Sequence, residues 1–135
     1  MFKNSSNILQ VMKDFCDTSD NVGNARICAA VVYKGKIVSM AGNTRRTHPF
    51  QSLYSKNPEA IYWHAETKAI YLALQRIGSI ELSKCSLVVA RTKQSGHTRV
   101  FAMSKPCCGC SKCIVDFNLK NVYHTNEEGV LVCTK

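Results

Sequence analysis

The chain has 135 residues, 45% of them hydrophobic and 20% charged, which fits one domain spanning 1–135 and excludes a disordered chain. Eighteen Lys and Arg against nine Asp and Glu give a formal net charge of +9. No apolar run approaches the ~20 residues that cross a bilayer, so no membrane partner is expected. The amino-terminal Met-Phe-Lys-Asn-Ser-Ser-Asn has no continuous apolar segment behind it, so no secretory leader is expected and a cytoplasmic location follows.

In chain order, Ile8, Leu9, Met12, Phe15 and Cys16 recur at helical spacing after a Ser/Asn cluster that can cap them. Asp20–Asn24 reads as a turn. Ile27–Tyr33 is an apolar run of strand length, Lys34-Gly35 turns the chain, and Lys36–Ala41 returns as a hairpin. Residues 42–58 read as a basic loop. From Glu59 to Ile77 the period is helical, with Gly78 as the stop signal. Cys85–Ala90 reads as a third strand, 91–105 as a second basic loop, and Pro106 as the start of a helix running to about Asn118. Val122–His124 and Val130–Cys133 are two short strands. Too few residues separate them for a parallel crossover, so as neighbours they must be antiparallel. The order predicts an α/β protein, a mixed five-stranded sheet covered by helices.

The basic charge is segregated. No acidic residue lies between Asp20 and Glu59, a stretch holding Arg26, Lys34, Lys36, Arg45, Arg46 and Lys56. Between Glu81 and Asp116 stand Lys84, Arg91, Lys93, Arg99, Lys105 and Lys112. Such segments attract a phosphate-bearing nucleotide or nucleic acid, or serve as a solubilising surface; charge alone does not choose.

Eight cysteines are present, four of them (Cys107, Cys108, Cys110 and Cys113) within seven residues. Four thiols so close do not make two long-range disulfides and read as metal ligands plus buried thiols. Cys16, Cys28, Cys85 and Cys133 lie in or beside apolar stretches, as small buried hydrophobes do. Cys107 and Cys110, with two residues between them at a helix start, can share one tetrahedral zinc, and the helix N-terminus favours their thiolates. Adding His64 makes three protein ligands with a fourth position open to water. Glu66, two residues from His64, then stands near that water as a proton acceptor and donor. Cys110 and Cys113 have the same spacing and are the alternative pair.

His64-Ala65-Glu66 together with Pro106-Cys107 and Cys110 matches the signature of zinc nucleobase deaminases. With Ala29-Ala30-Val31-Val32 and Gly42-Asn43, the chain from Ile27 to Cys133 resembles the cytidine deaminase-like superfamily. The resemblance implies a three-layer α/β/α sandwich, zinc held by His64, Cys107 and Cys110, and Glu66 as the proton shuttle. It implies hydrolytic loss of ammonia from C4 of a cytosine ring, substrate contact by Asn43, and a homo-oligomer. Many deoxycytidylate deaminases carry an asparagine two residues after the His-x-Glu, where this chain has Lys68. The antiparallel final pair is similar to the free-cytidine branch rather than the polynucleotide branches.

His48, in a loop expected to border the site, is a second candidate for substrate contact. Tyr62 and Trp63 precede His64, as pocket wall or as core. His97 and His124 read as ordinary loop and strand residues. The expected function is zinc-dependent deamination of a cytosine nucleoside or nucleotide, with phosphorylated substrates favoured by the charge. The alternatives are deamination of a base in single-stranded DNA or RNA, and a non-catalytic zinc module that binds nucleic acid.

Overall fold

The computed structural model describes residues 4–18, 26–43, 48–54, 63–104 and 108–134, without the side chains of 108 and 109. Its elements are α1 (Ser5–Thr18), β1 (Arg26–Tyr33), β2 (Lys36–Gly42), α2 (Pro49–Ser52), α3 (Ala65–Leu82), β3 (Ser86–Ser95), β4 (Thr98–Ala102), α4 (Cys108–Asp116), β5 (Asn121–Thr125) and β6 (Leu131–Cys133). Among the described residues no helix is long and apolar enough to cross a membrane.

The strands run in the order β2-β1-β3-β5-β6, and β4 pairs with the distal half of β3. Among the described residues only β3 and β5 are parallel; the remaining pairs, β5–β6 included, are antiparallel. Side chains alternate across a strand, and here both faces are buried. Ala29, Val31, Leu87, Val89 and Val122 pack against Ala65, Ala69, Ile70 and Ala73 of α3 and Cys113 and Ile114 of α4. Cys28, Ala30, Val32, Val88 and Ala90 pack against Ile8, Met12 and Cys16 of α1. The central strands are therefore apolar without a break, as doubly covered strands are. The three-layer sandwich is present. Small residues at 65, 69 and 73, one turn apart, let α3 lie close to the sheet, and Ser39 Oγ donates to Ala69 O at 2.7 Å.

Turn chemistry sets the registers. Lys34 (φ 50°) and Gly35 (φ 77°) both take positive φ, as a two-residue hairpin that matches the strand twist requires. Gly78 (φ 78°, ψ 171°) breaks the helical geometry of α3 where a stop was expected, and one further turn follows to Leu82.

Two expectations are corrected. Among the described residues the sheet has six strands, not five, because 91–102 is not a loop: β3 runs on to Ser95 and the chain returns as β4. Residues 93–98 are exposed, so this hairpin lacks the apolar alternation that marks a strand. The 42–58 segment is not all loop either, since α2 interrupts it. The turn at 20–24, Pro106, and the stretch from Glu59 to Tyr62 lie outside the described residues.

Candidate active site

The amino termini of α3 and α4 meet at one end of the sheet. His64 is the N-cap of α3, with extended backbone (φ −69°, ψ 150°), and Glu66 lies in the first turn, 6% exposed. Cys110, in the first turns of α4, is fully buried. The fold brings His64 Nδ1 to 3.3 Å from Cys110 Sγ, across 46 positions of sequence.

Without a cation that pair is a thiol–imidazole hydrogen bond. It also fits zinc: Zn–N and Zn–S bonds of about 2.0 and 2.3 Å at a tetrahedral angle put their donor atoms about 3.5 Å apart. The ring uses Nδ1 toward the cysteine, and His64 makes no side-chain cap to its own helix. No group of three His, Cys, Asp or Glu side chains that could hold a metal forms among the described residues. Neither Cys113 nor Glu66 therefore completes a ligand set with His64 and Cys110. Cys107, the third expected ligand, lies outside the described residues. The donor types fit zinc, and Glu66 is buried in the first turn of the helix that His64 caps.

Cys113, one turn beyond Cys110, is a core thiol. Burial pushes it up to about 12, against a Tyr54 hydrogen bond that acts the other way, and the Asp116 and Glu66 charges add to the rise. Tyr54 is likewise pushed up to about 12, first by burial and then by Cys113 and Asp116.

The two residues expected to touch substrate have other partners as well. Asn43 Oδ1 accepts from Ile27 N at 3.4 Å while Asn43 N donates to Ile27 O, closing the end of the β1–β2 hairpin. His48 Nδ1 accepts from Phe50 N at 3.1 Å, capping α2. Its ring stacks on Trp63 at 4.0 Å, and Tyr71 meets both rings edge-on. Lys68 Nζ lies 5.3 Å over the Trp63 ring. Trp63 is thus part of an aromatic wall directly before His64. His97 is at the exposed tip of the β3–β4 hairpin, and His124 is buried on β5, bonded to Thr134 Oγ1 at 2.7 Å.

Sequence reasoning did not find Gln51 or Ser104. Gln51, 1% exposed on α2, accepts from the His64 amide at 3.1 Å and from the Thr67 hydroxyl. Ser104, just after β4, ties Val89 of β3 to Thr125 of β5. A polar residue inside a segment read as loop carries no periodic signal. The one available signal was α2 itself, announced by Pro49 after a residue able to cap.

Residues 3–126 match the family model described as the cytidine and deoxycytidylate deaminase zinc-binding region. Two solved structures of a dCMP deaminase from the cyanophage S-TIM5 share the fold. The apo form is 23% identical, over 90% of this chain and 82% of that one, with a TM-score of 0.58. The form in complex with dCMP and dUMP is 22% identical, over 90% and 80%, with a TM-score of 0.58. No curated protein matches the chain.

Proposed function

The chain belongs to the cytidine and deoxycytidylate deaminase zinc-binding family, and on that premise we propose that it hydrolyses a cytosine nucleotide to the uracil form with release of ammonia. His64 Nδ1 facing Cys110 Sγ at 3.3 Å, with Glu66 buried in the same helical turn as the histidine, carries this reading. His64, Cys107 and Cys110 are the residues we assign to zinc. Zinc, when bound, supplies an activated water at neutral pH and an electrophile for the developing charge.

The protein's own groups do the rest. Glu66 takes a proton from the attacking water and passes it to the ring nitrogen, then takes the remaining proton of the hydroxyl added at C4 and passes it to the amine, which leaves as ammonia. Asn43 uses its amide oxygen on Ile27, so its Nδ2 is the atom we assign to substrate. His48 and Trp63 form the wall against which the base is held, His48 through the outer edge of a ring already fixed by Phe50.

A nucleotide is favoured over a free nucleoside by the net charge of +9 and by the relative that binds dCMP and dUMP. A base within single-stranded nucleic acid is the second reading, favoured by the exposed basic hairpin around Lys93. Arg99 of that hairpin pairs with Asp17 at 3.3 Å, which reduces its charge toward a polynucleotide.

The test is product mass spectrometry of the zinc-loaded protein on cytidine, deoxycytidine, their mono- and triphosphates, adenosine forms and a short single-stranded oligonucleotide. A monomeric cytosine nucleotide should gain the mass of the uracil form. Glu66→Gln should lower that rate by ~10²–10⁴ while zinc stays bound. Conversion within the oligonucleotide alone would replace the first reading with the second; no conversion at all would refute both.

A further inference from the structure

A helix start leaves backbone N–H groups without partners, and the N-cap side chain ordinarily takes one of them. In α3 the N-cap is His64, whose imidazole is turned to Cys110 and makes no cap bond. In a capping box the residue three places on would reach back to the N-cap N–H. That residue is Thr67, and its hydroxyl is too short for the task. A side chain from another element does it instead. Gln51 Oε1 accepts both the His64 N–H, at 3.1 Å, and the Thr67 hydroxyl, which also lies 3.2 Å from His64 O. One amide oxygen thereby clamps the N-cap and the third residue of the helix, with Glu66 between them.

The clamp has a rigid mounting. Gln51 is 1% exposed, and Thr67 is fully buried. The short α2 that carries Gln51 is capped by His48, whose ring stacks on Trp63, the neighbour of His64. Gln51 makes these contacts through the α3 backbone and Thr67, so its effect on the chemistry passes through other residues.

We propose that Gln51 is a positioning residue for His64 and Glu66. It fixes the backbone of the first turn of α3 so that the imidazole reaches the Cys110 sulfur and the carboxylate stays beside the metal position. The inference rests on the assignment of His64 as a ligand made under the proposed function. Partners of this kind, one step removed from a metal, typically change affinity by ~10–100-fold when removed.

The test compares the full-length protein with Gln51→Leu, Gln51→Glu and Thr67→Val. Glutamate keeps an acceptor oxygen at the same place, ionised or not; leucine keeps the volume and loses the acceptor. Zinc affinity, measured against a competing chelator, should fall ~10–100-fold in Q51L and recover most of that loss in Q51E. Cobalt substituted for zinc should show a shifted visible spectrum in Q51L, with Q51E close to wild type. In metal-free protein labelled with ¹⁵N, the His64 amide should exchange ~10-fold faster in Q51L, the size expected for one lost hydrogen bond. On substrate, kcat should fall with KM nearly unchanged.

Wild-type zinc affinity, cobalt spectrum and His64 exchange in Q51L, with only a lowered Tm, would overturn the proposal and leave Gln51 an ordinary core amide. Should Q51L fail to fold, T67V carries the test: wild-type zinc affinity, cobalt spectrum and His64 exchange there would equally overturn it. Affinity and exchange are read without substrate. A protein that binds zinc through His64 yet converts no cytosine compound therefore refutes the proposed function and not this one.

Discussion

Replacing Ser104 by alanine should destabilise the protein far more than the loss of one hydroxyl suggests. Ser104 is 6% exposed and stands where β3, β5 and the exit of β4 converge. Its Oγ donates to Val89 O at 2.7 Å and accepts from Thr125 N at 2.9 Å, and Thr125 is fully buried. Alanine takes the side-chain acceptor from the Thr125 N–H in a dry interior, at about 1–3 kcal/mol, and removes a bond to Val89 O that contributes about 1 kcal/mol. The combined cost is about 2–4 kcal/mol. Unfolding entropy of about 2.1 cal/mol/K per residue over this length makes each kcal/mol worth about 3.5 °C, so Tm should fall by ~7–14 °C. Scanning calorimetry of metal-free Ser104→Ala against wild type reads this directly, and metal-free protein keeps ligand binding out of the comparison. A drop below ~2 °C would refute the reasoning, since it would mean that water or a shifted strand end satisfies Thr125 at no cost. Ser104 also stands three residues before Cys107 in the chain, so zinc affinity should weaken in parallel with stability.

Either His64→Ala or Cys110→Ala should abolish stoichiometric zinc binding, read as zinc per chain after dialysis; one full equivalent retained in either would remove that residue from the ligand set. Alkaline stability should depend on Cys113. Its thiol sits at about 12 in the folded protein against 9.0 unfolded, so the unfolded chain loses its proton first and stability falls as pH rises from 9 toward 12. The slope approaches ~1.4 kcal/mol per pH unit, and Cys113→Ala should flatten the fall of Tm above pH 9; an unchanged slope would show that Cys113 is not the group responsible. Gly129→Ala should cost about 1–3 kcal/mol. Its φ is +79°, and a Cβ would come within 3.0 Å of Phe101 Cβ and Phe101 O. Urea unfolding reads that loss, and a variant as stable as wild type would mean the β5–β6 turn shifts freely.

Most of the layered fold was legible because it is written in short-range periodicities. Ile8, Met12 and Cys16 repeat at helical spacing and all three are buried. The strand assignments at Ile27–Tyr33 and Lys36–Ala41 lie within β1 and β2, since one is a continuous apolar run and a Lys-Gly turn joins them. The β5–β6 pair is antiparallel as expected, for the connection is too short to be otherwise. The β4 strand escaped because its partner half of β3 is exposed, and an exposed hairpin has no apolar face to leave a pattern. The α2 helix escaped because four residues are little more than one turn, too few for a period to show.

The chain alone discloses the inventory of chemical groups: a histidine and a glutamate at one helix start, cysteines at another, and a strand pattern that fits the deaminase fold. Local spacing is enough for that, because helical and strand periods place neighbours on one face without reference to the rest of the chain. The tertiary structure alone decided how those groups are held. His64 meets Cys110 across 46 residues, Gln51 reaches His64 across 13, and Ser104 joins Thr125 across 21. Contacts of that kind depend on which elements pack together, and a single hydrogen-bonded pair closed by packing leaves no period in the sequence.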